Sequence, residues 1–389
     1  MRILWIGTKS PWPPIDGGRL ASSLTLAALA AEGAELLVVA PASTGSEGVP
    51  AGLGWVPVDT RPTPWLRAAA RAWGNGGSAT LERHRLPAVA REVARQITDF
   101  RPQVVHVEQL HALAQAAPAA ARGWPVVLRA QNVESDLWRG AAGLCGGLRA
   151  RWLAAEAQRL AVAEGRAVQQ VTTTVALTDE DAARLRALAG PASARVETVP
   201  VPHPSELPAA SAVAGSPAVV LVGSGGWMPN RAGAEWFFDR VWPRVVAGNA
   251  AARLHVFGES SRVPVQATLR PPPADSREAF PAGAILVVPL AVASGVRMKI
   301  LEAWARGLAV VATPAAAAGL GAVAGRELLV ASDPEEFAAA VLLLGAEPER
   351  GRELVAAGRQ LLRMRHEPAR IARRLLAIYE ASSSRLMNS

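Results

Sequence analysis

The feature that most constrains the fold is a strand–loop–helix–strand pattern that occurs twice along the chain. An apolar run at residues 2–7 ends in glycine and is followed by a turn-rich loop, by apolar residues at helical spacing, and by a second strand pattern at residues 35–40. Such runs are typical of strands buried on both faces of a parallel sheet. Open sheets of this kind bind ligands at the carboxyl ends of their strands, so the loops after the strands are the expected sites.

The pattern starts again at residues 218–223, after a stretch rich in proline and small residues. We therefore predict an α/β protein with two Rossmann-like domains. The predicted division is an N-terminal domain over 1–205, a C-terminal domain over 206–365 and a terminal segment over 366–389. In that segment an apolar stripe predicts a helix, and its members are Ile371, Leu375, Ile378 and Tyr379.

Composition limits the classes of function. The 41 basic and 33 acidic residues give a formal charge of +8, spread over both halves, which argues against a nucleic-acid-binding arm. The single cysteine, Cys145, excludes an intrachain disulfide and a cysteine-rich zinc site. No apolar run reaches about 18 residues, and residues 1–6 lead into a strand pattern rather than a signal peptide. We expect a cytoplasmic protein, with peripheral attachment to the inner face of the cell membrane as a further expectation.

Two glycine loops follow predicted strands. Their relevant residues are Gly17, Gly18 and Arg19 in the first loop and Gly223, Gly225 and Asn230 in the second. Glycine permits close backbone approach, and a helix N-terminus favours an anion. Both loops therefore predict a phosphate-containing ligand, with a plain strand–helix turn as the alternative for the first. Met228 stands where a dinucleotide fingerprint needs its third glycine, so NAD is not indicated.

The most informative segment covers residues 294–307, after another predicted strand. Gly295 offers a backbone donor, and Arg297 and Lys299 offer the positive charge that suits a diphosphate. The chain has two lysines among its 41 basic residues, so Lys299 is expected to be kept for its compact ammonium group. Glu302 lies one turn further on, where a carboxylate can accept hydrogen bonds from ribose hydroxyls. A solvated basic helix turn is the alternative interpretation.

A D-x-D sequence at residues 179–181 fits metal-dependent sugar transfer, but its position favours a helix cap. Thr178 and Asp181 form a capping box, and Ser332 with Glu335 repeats that signature. The histidines show no metal-binding spacing, so no metal site is predicted. His106 lies at the end of a predicted strand, a ligand-facing position in an open sheet, although a packed histidine is the commoner role.

Residues 61–101 carry a local net charge of +5. Trp65 and Trp73 are predicted on one helical face, with Arg67 and Arg71 on the opposite face. Tryptophan combined with arginine is typical of a helix on an anionic membrane surface. A solvated charged face with both tryptophans in the core is an equally weighted alternative.

Taken together, these segments resemble the family 4 glycosyltransferases of the GT-B fold, also called glycosyltransferases group 1. The resemblance covers nearly the whole chain and is strongest over residues 218–338. It is carried by V-G-S-G-G-W-M-P-N at 222–230, by G-V-R-M-K-I-L-E-A at 295–303 and by P-P-I-D-G-G-R at 13–19. The segment Q-N-V-E-S at 131–135 is similar to the H-N-V-E-S of one branch of the family.

The resemblance implies two Rossmann-like domains facing each other across a cleft, with the last helix crossing back to the N-terminal domain. It implies sugar transfer with retention of configuration and without an obligatory metal or cofactor. The donor would be a UDP- or GDP-linked sugar, and the acceptor a glycan, a lipid-linked molecule or a small molecule, in cell-envelope glycan or natural-product glycoside assembly.

The resemblance also assigns roles to residues. Arg297 and Lys299 would be catalytic, because they would stabilise charge on the departing diphosphate. The donor-binding residues would be Gly17, Gly18, Gly223, Gly225, Asn230, Ser294, Gly295 and Glu302. The acceptor-side residues would be Arg19, His106, Gln131, Asn132 and Glu134.

Three positions depart from the family pattern. Ser294 replaces the first of two glutamates eight positions apart, which often contacts the donor sugar, and Glu302 is the second. Gln131 replaces the histidine of H-N-V-E-S and cannot exchange a proton near neutral pH. The sequence P-V-P-H-P at 200–204 replaces the usual hinge. Two alternatives therefore stand beside glycosyl transfer: a nucleotide-sugar epimerase of the same fold, and a nucleotide-sugar-binding partner subunit without turnover.

Overall fold

A computed structural model describes residues 1–42, 48–191, 195–223, 228–273 and 275–386. The chain forms two compact units. The first comprises residues 1–202, 294–296 and 368–389, and the second comprises residues 203–293 and 297–367. The second unit thus begins three residues before the boundary predicted at 206. The grouping of residues 294–296 with the first unit was not predicted.

The first unit is built on a parallel sheet in the order β3-β2-β1-β4-β5-β6-β7. Its strands are β1 (Arg2–Ile6), β2 (Glu35–Pro41), β3 (Gly54–Val58), β4 (Val104–Glu108), β5 (Val126–Ala130), β6 (Thr173–Ala176) and β7 (Arg195–Thr198). Its helices are α1 (Gly17–Ala31), α2 (Trp65–Asn75), α3 (Ala79–Arg83), α4 (Pro87–Asp99), α5 (Ala117–Ala120), α6 (Glu134–Gly143), α7 (Gly147–Gln170) and α8 (Asp179–Ala189), with a 3-10 turn at Leu110–Ala116.

The central strand β1 explains why this sheet forms. Its side chains alternate between two buried layers, with Ile3 and Trp5 in one and Leu4 and Ile6 in the other. An apolar run without polar alternation is what a strand covered on both faces requires. The two-sided apolar pattern predicted for this strand is therefore confirmed.

The second unit has a parallel sheet in the order β10-β9-β8-β11-β12-β13. Its strands are β8 (Ala218–Val222), β9 (Arg253–Phe257), β10 (Ala267–Arg270), β11 (Ile285–Val288), β12 (Ala309–Ala312) and β13 (Leu329–Val330). Its helices are α9 (Met228–Trp236), α10 (Trp242–Gly248), α11 (Met298–Arg306), α12 (Pro314–Ala317), α13 (Pro334–Ala346) and α14 (Pro348–Arg365). A π-type turn at Phe237–Val241 joins α9 to α10, and a 3-10 turn covers Ser276–Ala279.

The two sheets share one topology. In each, the chain lays down three strands in one direction and then returns to pair its fourth strand with its first, so the order reverses between β1 and β4 and between β8 and β11. This is the Rossmann order, whose ligands bind where the direction reverses. The α/β prediction of two Rossmann-like halves is confirmed.

The last helix, α15 (Pro368–Leu386), belongs to the first unit. Ile371, Leu375 and Tyr379 are buried in the layer that contains Trp5 and α1, and Ile378 packs against it. The apolar stripe read from the sequence is therefore the buried face of this helix. It lies on the same side of the sheet as α1.

Two helix caps were predicted from local sequence, one at Thr178 and one at Ser332. The Thr178 hydroxyl accepts a hydrogen bond from Asp181 N at 3.0 Å, which confirms that cap. The second cap is displaced by one residue, because Asp333 rather than Ser332 caps α13 and accepts from Glu336 N at 2.9 Å. Pro334 fixes the first helical position, which leaves Asp333 as the capping residue.

Candidate active site

An open cleft of about 690 Å³ lies in the second unit at the carboxyl ends of β8, β9 and β11. This is the point where the strand order reverses, and its volume is in the usual range for small-molecule sites. Polar groups line it alongside the apolar strand ends. Among them are Gly223, Asn230, Glu259, Arg262 and Lys299.

Two glycines let the backbone form the wall of this second-unit cleft. Gly258 has a φ of +140°, and a Cβ there would lie 2.0 Å from the carbonyl oxygen of Gly223. A Cβ on Gly223 would in turn lie 3.1 Å from the carboxamide of Asn230. Gly258 therefore has no room for a side chain, and Gly223 would have room only if the Asn230 side chain shifted. Gly225, predicted in the same loop, lies outside the described residues.

Lys299 supplies the cleft with a positive charge. Its Nζ donates to the carbonyl oxygen of Val222 at 2.5 Å. Burial lowers the pKa of Lys299 to about 8, because the ammonium group loses hydration that one carbonyl does not replace. Among the ion pairs between described residues none involves Lys299. An ammonium group held this way in an open cleft is suited to bind an anion.

Arg297 and Glu302, the two other charged residues of the 294–307 segment that were predicted to bind the donor, do not line this cleft. Arg297 precedes α11, is buried, and its Nε donates to the carbonyl oxygen of Ala316 at 3.0 Å. Glu302 is buried as well, and its Oε1 accepts hydrogen bonds from Ser276 Oγ at 2.6 Å and from Arg306 at 2.9 and 3.0 Å. The structure therefore brings Lys299 together with Gly223 and Asn230, whereas Arg297 and Glu302 are not among the residues that line the cleft.

Sequence reasoning missed the far wall of the cleft, which residues 258–262 form. Gly258 follows the carboxyl end of β9 just as Gly223 follows β8. The rule that located the Gly223 loop could therefore also have located the loop at residues 258–262. Arg262 is held in this wall by a bidentate pair with Asp239, at 2.6 and 2.8 Å.

The first unit has its own reversal point, between β1 and β4. A small cavity there is lined by Thr8, Lys9, Gly18, Arg19 and Gln109, among others. Helix α1 begins at Gly17 behind the cap Asp16, whose Oδ1 accepts from Arg19 N at 2.9 Å. Burial would raise the pKa of Asp16, but the contacts with Lys9 and Arg19 outweigh it and hold that pKa below its usual value. The predicted first glycine loop thus lies at the expected place in the sheet.

A buried hydrogen-bond network supports that loop, and we call it the Glu108 network. Glu108 Oε1 accepts from Gln131 Nε2 at 2.5 Å, from Arg129 at 3.0 Å and from Ser22 Oγ at 3.1 Å. The Gln131 amide also donates to the carbonyl oxygen of Gly18 at 3.2 Å. Although burial acts in the opposite direction, Arg129 and the hydrogen-bond donors lower the pKa of Glu108 to about 2. Gln131 therefore supports the glycine loop from behind.

The prediction that His106 lies on the acceptor side is wrong. Side chains alternate along β4, and His106 shares with Glu108 the face that α15 covers. The imidazole is fully buried and stacks on Trp5 at 3.7 Å between ring centroids. Because Glu108 is ionised and burial lowers the pKa of His106, Nε2 carries the proton and donates to Glu108, while Nδ1 accepts from the Tyr379 hydroxyl, both at 2.8 Å.

The segment 294–296 is fixed within the first unit. Ser294 Oγ accepts from Val133 N at 2.9 Å and donates to Asp181 Oδ1 at 3.1 Å, and Gly295 N donates to Asp181 Oδ2 at 3.1 Å. Gly295 has a φ of +70°, and a Cβ there would lie 2.1 Å from the carbonyl oxygen of Gln131. The carboxylate of the D-x-D sequence thus accepts hydrogen bonds from this segment, a role that the sequence did not reveal.

Asn132 and Glu134 adjoin the same segment. The side-chain amide nitrogen of Asn132, in the orientation that satisfies its hydrogen bonds, donates to the carbonyl oxygen of Ser294 at 3.1 Å. Glu134 begins α6, and its backbone N donates to Glu164 Oε1 at 2.6 Å, so that a carboxylate from α7 caps α6. Burial raises the pKa of both Glu134 and Glu164 to about 7.

Helix α2 tests the predicted membrane-facing surface. Its buried residues are Ala68 and Ala72, whereas Trp73 is 86% exposed. The alternative that places both tryptophans in the core is therefore wrong for Trp73. Trp65 is partly covered, because its ring packs against Trp138 and Trp152 at 6.4 and 6.1 Å between centroids.

Two family models match the chain. The model described as "Glycosyl transferase 4-like domain" matches residues 17–202, and the model described as "Glycosyl transferases group 1" matches residues 216–347. The chain belongs to the group 1 glycosyltransferases. The two matches together span more than four-fifths of its length and leave out the segment that joins the two units. No curated protein sequence matches the chain significantly.

Solved glycosyltransferase structures share the fold of this one. A sucrose-phosphate synthase from Thermosynechococcus elongatus superposes with a TM-score of 0.76 at 14% identity, covering 98% of each chain. The Anabaena protein HepE in complex with UDP-glucose superposes with a TM-score of 0.64 at 13% identity, covering 98% of this chain and 100% of its own. The predicted GT-B class is thereby confirmed.

Neither a membrane-spanning helix nor a metal centre is evident in the part of the chain that the structure describes. None of its helices is long and apolar enough to cross a bilayer. Nor do three or more His, Cys, Asp or Glu side chains in that part come together as metal ligands would.

Proposed function

We propose that this glycosyltransferase binds a nucleotide-sugar donor in the second-unit cleft and transfers its sugar, with retention of configuration, to an acceptor held by the first unit. The observation that carries the proposal is Lys299, an ammonium group with a backbone carbonyl as its hydrogen-bond partner, at the reversal point of a Rossmann sheet. A diphosphate provides the anion that this group lacks.

A UDP-linked sugar is the donor that we favour over a GDP-linked one. HepE, which shares the fold over the whole chain, has been solved with UDP and with UDP-glucose. The cleft offers Lys299 to the diphosphate and apolar strand ends to the rest of the nucleotide. Glu302 stays our candidate for the ribose, although its Oε1 is already occupied by Ser276 and Arg306, so a ribose would have to engage Oε2.

The chemistry assigned to Lys299 is stabilisation of the leaving group. As the bond between the anomeric carbon and the diphosphate oxygen breaks, negative charge grows on that oxygen, and an ammonium group already held in position by the Val222 carbonyl stabilises it without reorganisation. The acceptor oxygen bonds to the anomeric carbon on the same face, and the acceptor proton passes to the departing diphosphate. Atoms and charge balance in this step without a carboxylate nucleophile.

We propose that this transfer needs no metal ion. The support is the position of Asp181 of the D-x-D sequence, since both of its carboxylate oxygens accept hydrogen bonds from residues 294 and 295. Turnover is expected to continue in EDTA. Activity that collapses with the chelator and returns with Mn²⁺ or Mg²⁺ would contradict the proposal.

Calorimetry with UDP and UDP-glucose tests the donor site. Lys299→Ala is expected to weaken both ligands about 10- to 100-fold, the usual worth of a hydrogen bond to a charged group. The matched control is Arg352→Ala, which removes an exposed cation from α14 of the same unit, outside the cleft lining, and should leave UDP affinity unchanged. Equal UDP affinity in wild type and Lys299→Ala would refute the site. Turnover of the donor without an acceptor would favour the epimerase alternative, and the absence of any turnover would favour the binding-subunit alternative.

We further propose that helix α2 attaches the protein to an anionic membrane surface on the cytoplasmic side. Leu66 and Trp73 are 88% and 86% exposed, and Arg67 and Arg71 are exposed beside them. Apolar and cationic side chains exposed on one short helix suit a bilayer interface. This placement goes with acceptors used in cell-envelope glycan assembly.

Vesicle flotation tests the membrane proposal. Binding to vesicles of phosphatidylglycerol should be strong in low salt and fade as salt screens the charge, with little binding to phosphatidylcholine. Arg67→Glu/Arg71→Glu should abolish flotation, whereas Arg373→Glu/Arg374→Glu, the same charge change on exposed positions of α15, should not. A wild-type protein that ignores phosphatidylglycerol vesicles in low salt would refute the proposal.

A further inference from the structure

A second large cavity lies within the first unit. It is a groove of about 800 Å³ between the 3-10 turn Leu110–Ala116 and helix α7, and we call it the first-unit groove. Its floor and sides carry mostly apolar or small side chains, including Leu81, Leu110, Leu113, Ala163 and Ala167. None of the glycosyltransferase residues discussed above lines it.

The groove is long rather than round. Its α7 wall extends from Ala155 to Gln170, which at about 1.5 Å per residue is roughly 22 Å of helix. One end is at His111, which follows the carboxyl end of β4, and the other is at Val126 and Val171, where the neighbouring strands begin. The groove therefore runs along the sheet from its ligand-binding edge to the opposite edge.

The charged residues of the groove are mainly cationic. Arg85, Arg159 and Arg166 line it, against the single carboxylate of Glu82. Arg85 pairs with Glu82 at 3.2 Å, and Arg159 lies 3.6 Å from Glu156, which is outside the lining. In the described part of the chain Arg166 forms no ion pair. An apolar channel with surplus arginine charge complements an anion that carries an apolar chain.

The upper end of the groove adjoins the first glycine loop. Gln109 lines the small cavity at Gly18 and Arg19, and the two residues that follow it, Leu110 and His111, line the groove. A molecule that lies in the groove would thus present its upper end to the loop that the proposed function assigns to the reaction.

We propose that the first-unit groove binds the apolar chain of the acceptor, and that this acceptor is an amphiphile with an anionic group. The inference rests on the proposed function and specifies its acceptor class. The apolar chain of the acceptor lies along Leu110, Leu113 and Ala163. Its anionic group pairs with Arg85 and Arg159 at the upper end. The hydroxyl that receives the sugar points to the Gly18 loop.

Alkyl phosphates of increasing length are the probes for this site. Calorimetry with octyl, decyl and dodecyl phosphate, each below its micelle concentration, should show affinity that rises by up to about fourfold per methylene buried. Inorganic phosphate should show no binding in the same concentration range. Dodecyl maltoside, which is uncharged, should bind more weakly than dodecyl phosphate. Affinity independent of chain length would overturn the proposal.

Two pairs of variants test whether the alkyl chain of the ligand lies in the groove rather than on another apolar surface. Ala163→Trp fills the groove and should weaken dodecyl phosphate at least tenfold, while Ala154→Trp, at an exposed position of the same helix, should not. Arg159→Gln should weaken dodecyl phosphate but not dodecyl maltoside, and Arg151→Gln, exposed on the same helix, is its control. Equal affinity in Ala163→Trp and Ala154→Trp would place the alkyl chain elsewhere and overturn the proposal.

UDP affinity, measured on the same preparations, separates the two levels of the proposal. If UDP binds with normal affinity to all four variants and wild-type protein still ignores alkyl phosphates, the groove proposal fails and the donor site stands. If wild type does not bind UDP, the proposed function itself fails. Retained UDP binding in Ala163→Trp also shows that the second unit of that variant is folded.

Discussion

The two reversal points of this glycosyltransferase have the same place in the same strand order but opposite electrostatic designs. In the first unit Glu108 is ionised, buried and surrounded by Arg129, Gln131 and His106. In the second unit Lys299 stands in an open cleft with the carbonyl of Val222 as its hydrogen-bond partner. Strand order therefore fixes where a site lies, while the partners of one charged side chain decide whether its charge is neutralised within the protein or stays available to a ligand.

The difference predicts opposite effects on stability, and the largest effect belongs to Glu108. Glu108→Gln removes the charge that compensates buried Arg129, and breaking a buried pair from one side costs about 3–5 kcal/mol of unfolding free energy. Urea denaturation followed by circular dichroism measures it. A loss below about 1 kcal/mol would mean that Arg129 finds another partner.

Glu108→Gln should also change how the unfolding free energy falls at acid pH. The folded pKa of Glu108, about 2, lies below its ordinary value of 4.5, so its stabilisation is complete above pH 4.5 and is lost as the pH falls towards 2. Glu108→Gln should lack this part of the acid-induced loss. Glu278→Gln, at an exposed position of the second unit, is the control and should keep it.

The next effect is the pH dependence of donor binding. The pKa of Lys299 is about 8, so the ammonium group is present at pH 7 and is lost as the pH rises through 8. UDP affinity should be constant between pH 7 and 7.5 and fall about tenfold or more by pH 9.5, because each pKa unit corresponds to about 1.4 kcal/mol. Calorimetry at fixed ionic strength measures it. Lys299→Arg should remove the decline, and a decline that persists in that variant would assign it to another group.

Stability should respond to Lys299 in the opposite direction from Glu108. The folded pKa of Lys299 lies below its ordinary 10.5, so at pH 7 the partly buried ammonium group is a cost that disappears as the pH rises from 8 to 10.5. Lys299→Met should leave the unfolding free energy unchanged or raise it by about 1–2 kcal/mol at pH 7. A loss of stability in Lys299→Met, measured by urea denaturation, would mean that this lysine is structural and would remove the contrast between the two sites.

Local patterns foretold the sheet, the glycine loops and the position of Lys299, because each depends on residues close together in sequence. They could not predict the Glu108 network or its link through His106 to the last helix, where the Tyr379 hydroxyl donates to His106, 273 positions away. The failure at His106 has a specific cause. Strand β4 is buried on both faces, so its sequence carries no alternation to show which face His106 occupies. The contacts of Asp181 with residues 294–295 and of Glu164 with Glu134 N were missed for a related reason, since each joins segments that are distant in sequence.

The smallest expected effect tests whether the Glu108 network links the last helix to the glycine loop. Tyr379→Phe removes the hydroxyl that donates to His106 Nδ1 and changes nothing else in the layer of Trp5 and α1. The lost hydrogen bond should lower the unfolding free energy by about 1 kcal/mol. UDP affinity should not change, because the cleft that holds Lys299 is in the other unit.

Steady-state kinetics give the discriminating measurement. If the network positions Gln131 behind Gly18, Tyr379→Phe lowers kcat or raises KM for the acceptor about two- to tenfold while KM for the donor stays constant. Ser383→Ala, which removes a hydroxyl from the same helix that bonds to the carbonyl oxygen of Gln103, is the matched control and should leave both constants unchanged. Kinetics identical in the two variants would confine the network to stability and leave the glycine loop independent of the last helix.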